Sequence, residues 1–273
     1  MRNISETEII VYNTYFCRSI KISVLFKFFI RRDALGNWIF FKRILFFVLG
    51  LVVRYRFKRL YDTQIKGAEH IVNLPKRNVL FVSNHQTYFA DVALIILALF
   101  NIKNNVLNRI GSILTLFNPI LRIYFIAARE TMKSGILPRV FTKGGGILIK
   151  RSWREKGKSV RRRVDKEDVE KISKALKDGW VITFPQGTTT PFVKGRKGTA
   201  HMIKKNHPIV VPIVIDGFRR AFDKKGLRIK KKGTEIKLTF KEPLIINYDD
   251  DDDIIMHQIM YAIEQSEEFH PKV

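Results

Sequence analysis

Short apolar runs of strand length recur along the chain from residue 78 onward. The segments "NVLFVSN" (78–84), "WVITFPQG" (180–187) and "PIVVPIVIDG" (208–217) are each predicted to contain a strand, and the last is apolar enough to be buried. A fourth segment, "EIKLTFKEPLII" (235–246), alternates apolar and polar residues and predicts an edge strand or a half-exposed one. The sequence therefore predicts four strands, which could form a sheet.

Helical patterns lie between these strands. The segment "DVALIILALF" (91–100) predicts a buried helix, and "DKEDVEKISKALKDG" (165–179) predicts an amphipathic helix that Asp165 caps and Gly179 ends. The segment "GTAHMIKKNH" (198–207) also predicts a helix. Strands that alternate with helices indicate an α/β fold, and we expect a mixed sheet with helices on both faces.

Three further segments are less regular. Residues 112–130 predict a helix and then a strand ending near Ala128, and residues 144–154 predict a loop, a strand and a basic exit. The run Asp249–Asp253 precedes a C-terminal helix, where its charge suits the helix N-terminus. It lacks the spacing of an EF-hand, and we expect no bound metal.

The N-terminal segment has a different pattern, because basic residues alternate with bulky apolar ones across residues 16–60. This pattern is typical of helices that lie on a membrane surface. The longest uninterrupted apolar run, Ile44–Val53, has 10 residues, whereas a membrane span needs about 20. We therefore expect residues 1–60 to form a helix hairpin that dips into the cytosolic leaflet and turns near residues 31–37, followed by a catalytic domain over residues 61–273. A single span and a pair of ordinary core helices are the alternatives.

Composition narrows the class of protein. Hydrophobic residues make up 46% of the chain, which excludes a disordered protein, and the single cysteine, Cys17, excludes an internal disulfide. The formal net charge of +25 implies an anionic partner, which could be a membrane, a substrate or a nucleic acid. The bulky apolar residues among the N-terminal cations favour a membrane over a nucleic acid.

Candidate chemistry begins at "SNHQTYFAD" (83–91), directly after a predicted strand. His85 is a general-base candidate because its ordinary pKa lies near neutrality, and Asp91 is the nearest carboxylate in sequence that could orient it. No Gly-x-Ser-x-Gly elbow accompanies the pair. A base without a protein nucleophile implies that the substrate supplies the attacking group, for example a hydroxyl. The alternative is a histidine that only hydrogen-bonds its loop.

A second loop, "FPQGTTTPFVKGRKGT" (184–199), follows another predicted strand. Its backbone amides, its three threonines and the cations Lys194, Arg196 and Lys197 could bind a phosphate or an oxyanion. The alternative is a polar turn with a solvated basic face.

The order of these motifs resembles that of the glycerolipid acyltransferase superfamily, typified by 1-acyl-glycerol-3-phosphate acyltransferase. The four blocks occur as "NHQTYFAD", "GGGILIKR", "FPQGTTT" and "VVPIVI", over roughly residues 70–215. The resemblance implies that a fatty acyl group passes from acyl-CoA or acyl-carrier protein to the hydroxyl of a lysolipid, with no cofactor beyond that cosubstrate. It implies that His85 deprotonates the hydroxyl and that Asp91 orients His85. It also implies substrate-binding roles for Arg151, Gln186, Gly187, Thr188, Thr189, Lys194 and Pro212, with Arg151 at the acceptor phosphate and Pro212 on the donor side.

Three positions depart from the family pattern. Five residues rather than four separate His85 from Asp91, so a bulge must absorb the additional residue if the two are to meet. Gln186 stands where the family has a glutamate, and Thr189 stands where it has a phosphate-binding arginine. From Thr189 we expect a lysophospholipid or a lyso-aminolipid to be acylated faster than lysophosphatidic acid.

Two other functions compete with this one. A basic membrane- or nucleic-acid-binding protein without catalysis would explain the charge but not "SNHQ" or "FPQGT". N-acylation of an amino acid would use similar chemistry on a different acceptor. We expect a membrane-bound O-acyltransferase of lipid metabolism with no nucleic-acid partner.

Overall fold

The structure is a computed structural model that describes residues 31–132, 136–150, 154–155, 158–159 and 165–270. The helices of these ranges are α1 Ile39–Tyr55, α2 Ala90–Lys103, α3 Arg129–Met132, α4 Ile136–Lys143, α5 Lys166–Asp178, α6 Gly198–Asn206, α7 Phe218–Ala221 and α8 Asp252–Ala262. The strands are β1 Asp62–Lys66, β2 Val79–Ser83, β3 Ile123–Ala128, β4 Gly146–Ile149, β5 Arg154–Glu155, β6 Lys158–Ser159, β7 Trp180–Thr183, β8 Ile209–Asp216 and β9 Glu235–Phe240. A π-helix at Arg56–Leu60 and 3-10 turns at Ala68–Ile71, Ile113–Phe117 and Glu267–Phe269 complete the described elements.

Seven strands form one sheet in the order β1-β9-β8-β2-β7-β3-β4. Neighbouring strands are parallel except β8 and β9, which are antiparallel, so the sheet is mixed as predicted. Strands β2, β7 and β8 lie at its centre and point the same way. Their carboxyl ends therefore meet at one edge of the sheet, which is where ligands bind in open α/β folds.

Side chains of the central strands alternate between two apolar cores. On β2, Phe81 packs into a core that includes α2 residues, whereas Leu80 and Val82 pack into a core with residues of α5, α6 and α8. Both faces of the sheet are covered, which explains why β2 is buried along its whole length. The α/β class with helices on both faces is confirmed.

The periodic elements were predicted well. Strands β2, β7 and β8 and helices α2, α5 and α6 occur where the sequence placed them, and the Asp165 side chain accepts a hydrogen bond from the Glu167 amide as an N-cap. The segment before β3 is only the 3-10 turn Ile113–Phe117 rather than a helix, although β3 does end at Ala128.

The edge position considered for β9 is wrong. Strand β9 is half-exposed, but it lies between β8 and β1, and β1 forms the edge of the sheet. The five residues of β1, "DTQIK", are too polar and too few to predict a strand from their pattern. They become one because β9 presents an unpaired backbone beside them.

The N-terminal region of the described chain begins with a turn at the predicted place. Asp33 and Asn37 close it through a backbone hydrogen bond, and helix α1 follows. The buried Lys42 Nζ lies 3.1 Å from Asp33 Oδ2 and 2.9 Å from the Ile123 carbonyl oxygen, which attaches turn and helix to the sheet. Burial lowers the pKa of Lys42 to about 8, and Asp33 partly opposes that effect.

Helix α1 packs Leu45 and Phe46 inward and leaves an opposite face exposed. The first arm of the expected hairpin falls within residues 1–30, outside the described residues. Across the described ranges, no helix combines the length and apolar content that crossing a bilayer requires. The hairpin and the domain boundary at residue 60 stay predictions.

Candidate active site

Three loops meet at the carboxyl ends of the central strands. The first follows β2 and carries Asn84, His85 and Asp91, the second follows β7 and carries the Thr188–Thr190 run, and the third follows β8 and leads into Arg219. Parallel pairing of β2 with both β7 and β8 places these loops side by side. Two of them are the loops that the sequence singled out.

The histidine and the aspartate of the first loop are in contact. His85 Nδ1 lies 3.0 Å from Asp91 Oδ2, and the Asp91 side chain is fully buried whereas that of His85 is 13% exposed. Asp91 lies in the first turn of α2, so the helix backbone fixes its position. The contact expected between these two residues is therefore present.

The surroundings of Asp91 determine which nitrogen of His85 carries hydrogen. Asp91 Oδ2 also accepts hydrogen bonds from the amides of Gln86 at 2.6 Å and Thr87 at 2.9 Å, and Oδ1 accepts from the Thr87 hydroxyl at 2.6 Å. A carboxylate that accepts all these bonds accepts from His85 Nδ1 as well, so Nδ1 carries the hydrogen in the neutral ring. The other nitrogen, Nε2, is then the one able to take a proton.

The additional residue between His85 and Asp91 is accommodated by a distant loop. The amides of Tyr88 and Phe89 donate to the carbonyl oxygens of Lys224 and Lys225, each at 3.1 Å. Gly226, at φ +77°, allows this approach, since a Cβ there would come within 2.7 Å of the Ala90 amide nitrogen. The backbone of the longer turn thus forms hydrogen bonds with another loop, and Asp91 still contacts His85.

Two amide side chains tie the first loop to strand β8. Asn84 accepts a hydrogen bond from the Ile215 amide and donates to the Ile215 carbonyl oxygen, both at 2.8 Å. Gln86 Nε2 donates to the same carbonyl oxygen at 3.1 Å. Asn84, the asparagine of the Asn-His pair, is therefore a positioning residue, which its sequence context did not reveal.

The second loop packs directly on the histidine. The Phe184 ring stacks on the His85 ring, with centroids 4.0 Å apart. Gly187 has φ +63°, and its amide donates to the Phe184 carbonyl oxygen to close a tight turn. The Thr188 and Thr190 hydroxyls follow, 3.3 Å apart, at the surface of the loop. Of the predicted binding residues, Gly187, Thr188 and Thr189 therefore lie on the loop that covers His85.

Gln186 is positioned differently, because its side chain is almost completely buried. Its Nε2 donates to the Val193 carbonyl oxygen at 3.1 Å and to Gln265 Oε1 at 3.2 Å, and Gln265 Oε1 also accepts from the Phe192 amide. This arrangement holds the second loop against the C-terminal segment. The position suits a residue that shapes the loop from within rather than one at its surface.

Three other predicted binding residues remain. Two of them lie away from His85, and the third lies outside the described residues. Pro212 is buried in the middle of β8, opposite Val82 in register, so it can act on the donor side only through its strand. Lys194 is exposed and lies near Asp253, where it supports Lys197 in lowering the pKa of that carboxyl. Arg151 lies outside the described residues.

Sequence reasoning missed Arg219. Its Nη2 donates to the Thr189 carbonyl oxygen and, at 3.4 Å, to the His85 carbonyl oxygen, so it bridges the first and second loops. No motif marks it, because it lies 30 residues beyond Thr189 in the chain. Only the adjacency of β7, β2 and β8 brings it to the site.

An apolar cavity lies beside the catalytic turn. Tyr88 and Phe89, from the turn between His85 and Asp91, form part of its wall, and the remainder comes from α1, α2 and the segment around β3 and α4. Its volume is about 50 Å³, and its lining is almost entirely apolar: Phe46, Leu49, Gly50, Val53, Val92, Ala93, Ile96, Leu97, Phe100, Phe125, Phe141 and Gly144. An alkyl chain is the kind of ligand that such a lining favours.

Within the described ranges, no group of three or more His, Cys, Asp or Glu side chains has the arrangement of a metal site.

Comparisons with known proteins agree with this geometry. The sequence matches the family described as Acyltransferase over residues 62–216, which is more than half of the chain. No curated protein matches the sequence. Among solved structures, the fold is similar to that of PlsC, the 1-acyl-sn-glycerophosphate (LPA) acyltransferase from Thermotoga maritima. That similarity has a TM-score of 0.53 and 20% sequence identity, and covers 95% of this chain and 94% of that chain. The family match confirms what the order of motifs predicted: the chain belongs to the acyltransferase family and is an acyltransferase.

Proposed function

We propose that this protein transfers a fatty acyl group from acyl-CoA or acyl-carrier protein to the hydroxyl of a lysolipid in membrane lipid biosynthesis. The observation that carries the proposal is the 3.0 Å contact between His85 Nδ1 and Asp91 Oδ2, beside an apolar cavity, in a chain of the acyltransferase family. A base and an alkyl-binding cavity at one site match a reaction that joins a hydroxyl to a fatty acyl group.

In the proposed mechanism, His85 Nε2 removes the proton of the acceptor hydroxyl as that oxygen attacks the thioester carbonyl carbon. The C–O bond forms, the tetrahedral intermediate collapses, and the C–S bond breaks. The imidazolium then returns its proton to the leaving thiolate, which leaves as a thiol. Asp91 stabilises the imidazolium between the two transfers, as the aspartate of a catalytic triad does. No acyl-enzyme is formed.

The cavity is the proposed site of the acyl chain. At about 50 Å³ it is smaller than the roughly 150 Å³ cavity that holds a benzene molecule. A fatty chain must therefore displace wall residues to enter. Helix α1 is the element best placed to yield, since it covers the cavity from one side and its outer face is exposed.

That outer face also supports the proposed membrane association. Its exposed side chains repeat at helical spacing and form what we call the apolar stripe: Trp38, Phe41, Ile44, Val48, Val52 and Tyr55. Ile113, Leu114 and Phe117 of the neighbouring 3-10 turn extend it, and the Phe117 ring lies 4.8 Å from that of Phe47. A face of this kind suits the interface of the cytosolic leaflet, where it would bring lipid close to the cavity.

Membrane binding can be tested with vesicles and purified full-length protein. We expect the protein to remain bound at high salt and to be released by detergent, because apolar burial acts together with charge. The double substitution Ile44→Glu and Val48→Glu should lower the bound fraction, whereas Ile245→Glu, at a 94% exposed isoleucine away from the stripe, should not. Release of the wild type by salt alone would contradict the proposal. Equal binding of all variants would show that α1 is not part of the membrane anchor.

The catalytic proposal is tested by incubating the protein in detergent with labelled acyl-CoA or acyl-carrier protein and a panel of lysolipids. We expect labelled two-chain lipid from at least one acceptor. Label that moves only to an amino acid would indicate N-acylation instead. Binding of lysolipid without transfer from either donor would indicate a protein that binds membranes without catalysis.

A further inference from the structure

Arg219 lies where the loops after β2, β7 and β8 converge. Besides the bonds from its Nη2 to the carbonyl oxygens of His85 and Thr189, its backbone amide donates to Gln86 Oε1 at 3.3 Å. The side chain is anchored on both loops and is nevertheless exposed. It is therefore a cation held at the mouth of the site.

No carboxylate of the described residues forms an ion pair with Arg219. Its neighbour Arg220 is paired with Asp216, with Nη2 2.9 Å from Oδ2, so Asp216 is largely neutralised. The charge of Asp91 is compensated by the four hydrogen bonds that its carboxylate accepts. Partial burial lowers the pKa of the Arg219 guanidinium, and the more distant charges of Asp91 and Asp216 partly oppose that effect.

The Arg219 guanidinium also has unused hydrogen-bonding capacity. Within the described part of the chain, only Nη2 of its three nitrogens makes a hydrogen bond, which leaves Nε and Nη1 to a ligand. These two groups point in different directions in the guanidinium plane, so each can donate one charge-assisted hydrogen bond to an anionic oxygen. The hydroxyls of Thr188 and Thr190, on the same second loop that Arg219 contacts, are additional donors.

We propose that Arg219, together with the Thr188 and Thr190 hydroxyls, binds the phosphate group of the acceptor lipid. This inference rests on the proposed function and specifies its acceptor. Thr189 stands where the family has a phosphate-binding arginine, and the expectation drawn from it was a lysophospholipid or lyso-aminolipid acceptor. Here the cation comes from another part of the chain and lies against the backbone of residue 189 itself.

The acceptor is consequently a lipid that carries phosphate, and a lyso-aminolipid, whose headgroup has no phosphate, would not use Arg219 in this way. A monoester such as lysophosphatidic acid and a diester such as a lysophospholipid both present anionic phosphate oxygens that Arg219 could bind. CoA also carries phosphate, so the experiment has to separate acceptor from donor.

The decisive variant is Arg219→Gln, with Arg228→Gln as the matched control. Arg228 is an exposed arginine on the segment that follows, and the substitution removes the same charge. For Arg219→Gln we expect the KM for a phosphate-bearing acceptor to rise about 10- to 100-fold, because a charge-assisted contact of this kind is lost. The kcat at saturating acceptor and the KM for the acyl donor should change by less than about threefold, since chemistry and donor binding remain.

A second measurement uses inorganic phosphate as a competitor of the acceptor. Inhibition of the wild type and of Arg228→Gln should exceed that of Arg219→Gln about tenfold. Arg219→Lys should be intermediate, because it keeps the charge but cannot bond both loops through one nitrogen and still offer donors in the guanidinium plane. Rates with lysophosphatidic acid and with a lysophospholipid then show whether the site favours the monoester or the diester.

Several outcomes would overturn the inference. A fall in kcat with unchanged acceptor KM and unchanged phosphate inhibition would mean that Arg219 only holds the two loops together. A rise in the donor KM alone would assign Arg219 to CoA phosphate. Equal kinetics of Arg219→Gln and the wild type would show that Arg219 does not contribute to substrate binding. A wild type that transfers no acyl group to any lysolipid would refute the proposed function instead, and that result is seen before any variant is made.

Discussion

Replacing Asp91 by asparagine separates the charge of this residue from its hydrogen bonds. The carboxylate accepts hydrogen bonds from His85 Nδ1, from two backbone amides and from the Thr87 hydroxyl. An asparagine can place its carbonyl oxygen where Oδ2 lies and turn its NH2 group toward the Thr87 hydroxyl, which can accept. The geometry of the turn should therefore survive in Asp91→Asn, whereas Asp91→Ala would leave buried donors unpaired at about 1–3 kcal/mol each.

The magnitude follows from the separation of the charges. Two unit charges about 4 Å apart interact by roughly 4 kcal/mol at an effective dielectric constant of 20, and the imidazolium of the proposed mechanism lies within that distance of the carboxylate. A neutral amide retains only part of that stabilisation, so we expect a loss of about 3–4 kcal/mol in the transition state. At 1.36 kcal/mol for each factor of ten, kcat should fall about 10²- to 10³-fold. The acceptor KM should change little, because Asp91 is fully buried and cannot contact substrate.

The assay is steady-state transfer of labelled acyl group by Asp91→Asn, with thermal unfolding measured in parallel. We expect the free energy of unfolding to fall by only about 1–2 kcal/mol, since hydrogen bonds to a charged acceptor become neutral ones. Asp62→Asn, an exposed carboxylate on the edge strand, should match the wild type in both measurements. A folded Asp91→Asn enzyme with near-normal kcat would refute the assignment of Asp91 as the residue that stabilises the imidazolium.

Three further predictions concern the base, the cavity and the buried lysine. His85→Ala should lower acyl transfer at least 10²-fold, the usual effect of losing a general base, and near-normal turnover by the folded variant would contradict the mechanism. Ala93→Phe, which fills part of the apolar cavity, should shift the preferred acyl donor to shorter chains in a C8–C18 series, and an unchanged chain-length profile would separate the cavity from acyl binding. Lys42→Met leaves Asp33 buried without its cation and should lower the free energy of unfolding by about 3–5 kcal/mol in urea titrations. Because the pKa of Lys42 is about 8 in the folded protein and 10.5 in the unfolded chain, the unfolded chain binds more protons between those pH values, so this residue adds stability as the pH rises. The difference between wild type and Lys42→Met should therefore widen by up to about 2 kcal/mol from pH 7 to 9.5, and a difference that narrows would refute the sign.

The sequence by itself determined the elements whose patterns are local. The apolar runs of β2 and β8 and the amphipathic period of α5 specify strand or helix before any tertiary contact exists. The Asn-His pair directly after β2 likewise placed His85 at the end of a strand, where ligands bind in α/β folds. The contact between His85 and Asp91 could also be anticipated, because both residues lie within one short turn.

Elements with weak local patterns became clear only in the folded chain. Strand β1 exists because β9 pairs with it, and β9 is internal because that pairing covers its outer edge. Gln186, which was expected to bind substrate, is almost completely buried, and Gln265 contacts it from 79 residues away in the chain. Neither result follows from the residues within one turn of these positions.

The completed site depends on strand order, which the local sequence does not encode. Arg219 reaches Thr189 only because β7 and β8 flank β2, and the carbonyl groups of Lys224 and Lys225 support the longer catalytic turn for the same reason. Strand order is set by which apolar faces bury best together and by the handedness of the connections between parallel strands. Both are properties of the whole chain. The sequence therefore predicted the proposed base and its carboxylate, whereas the position of Arg219 beside them follows only from the tertiary structure.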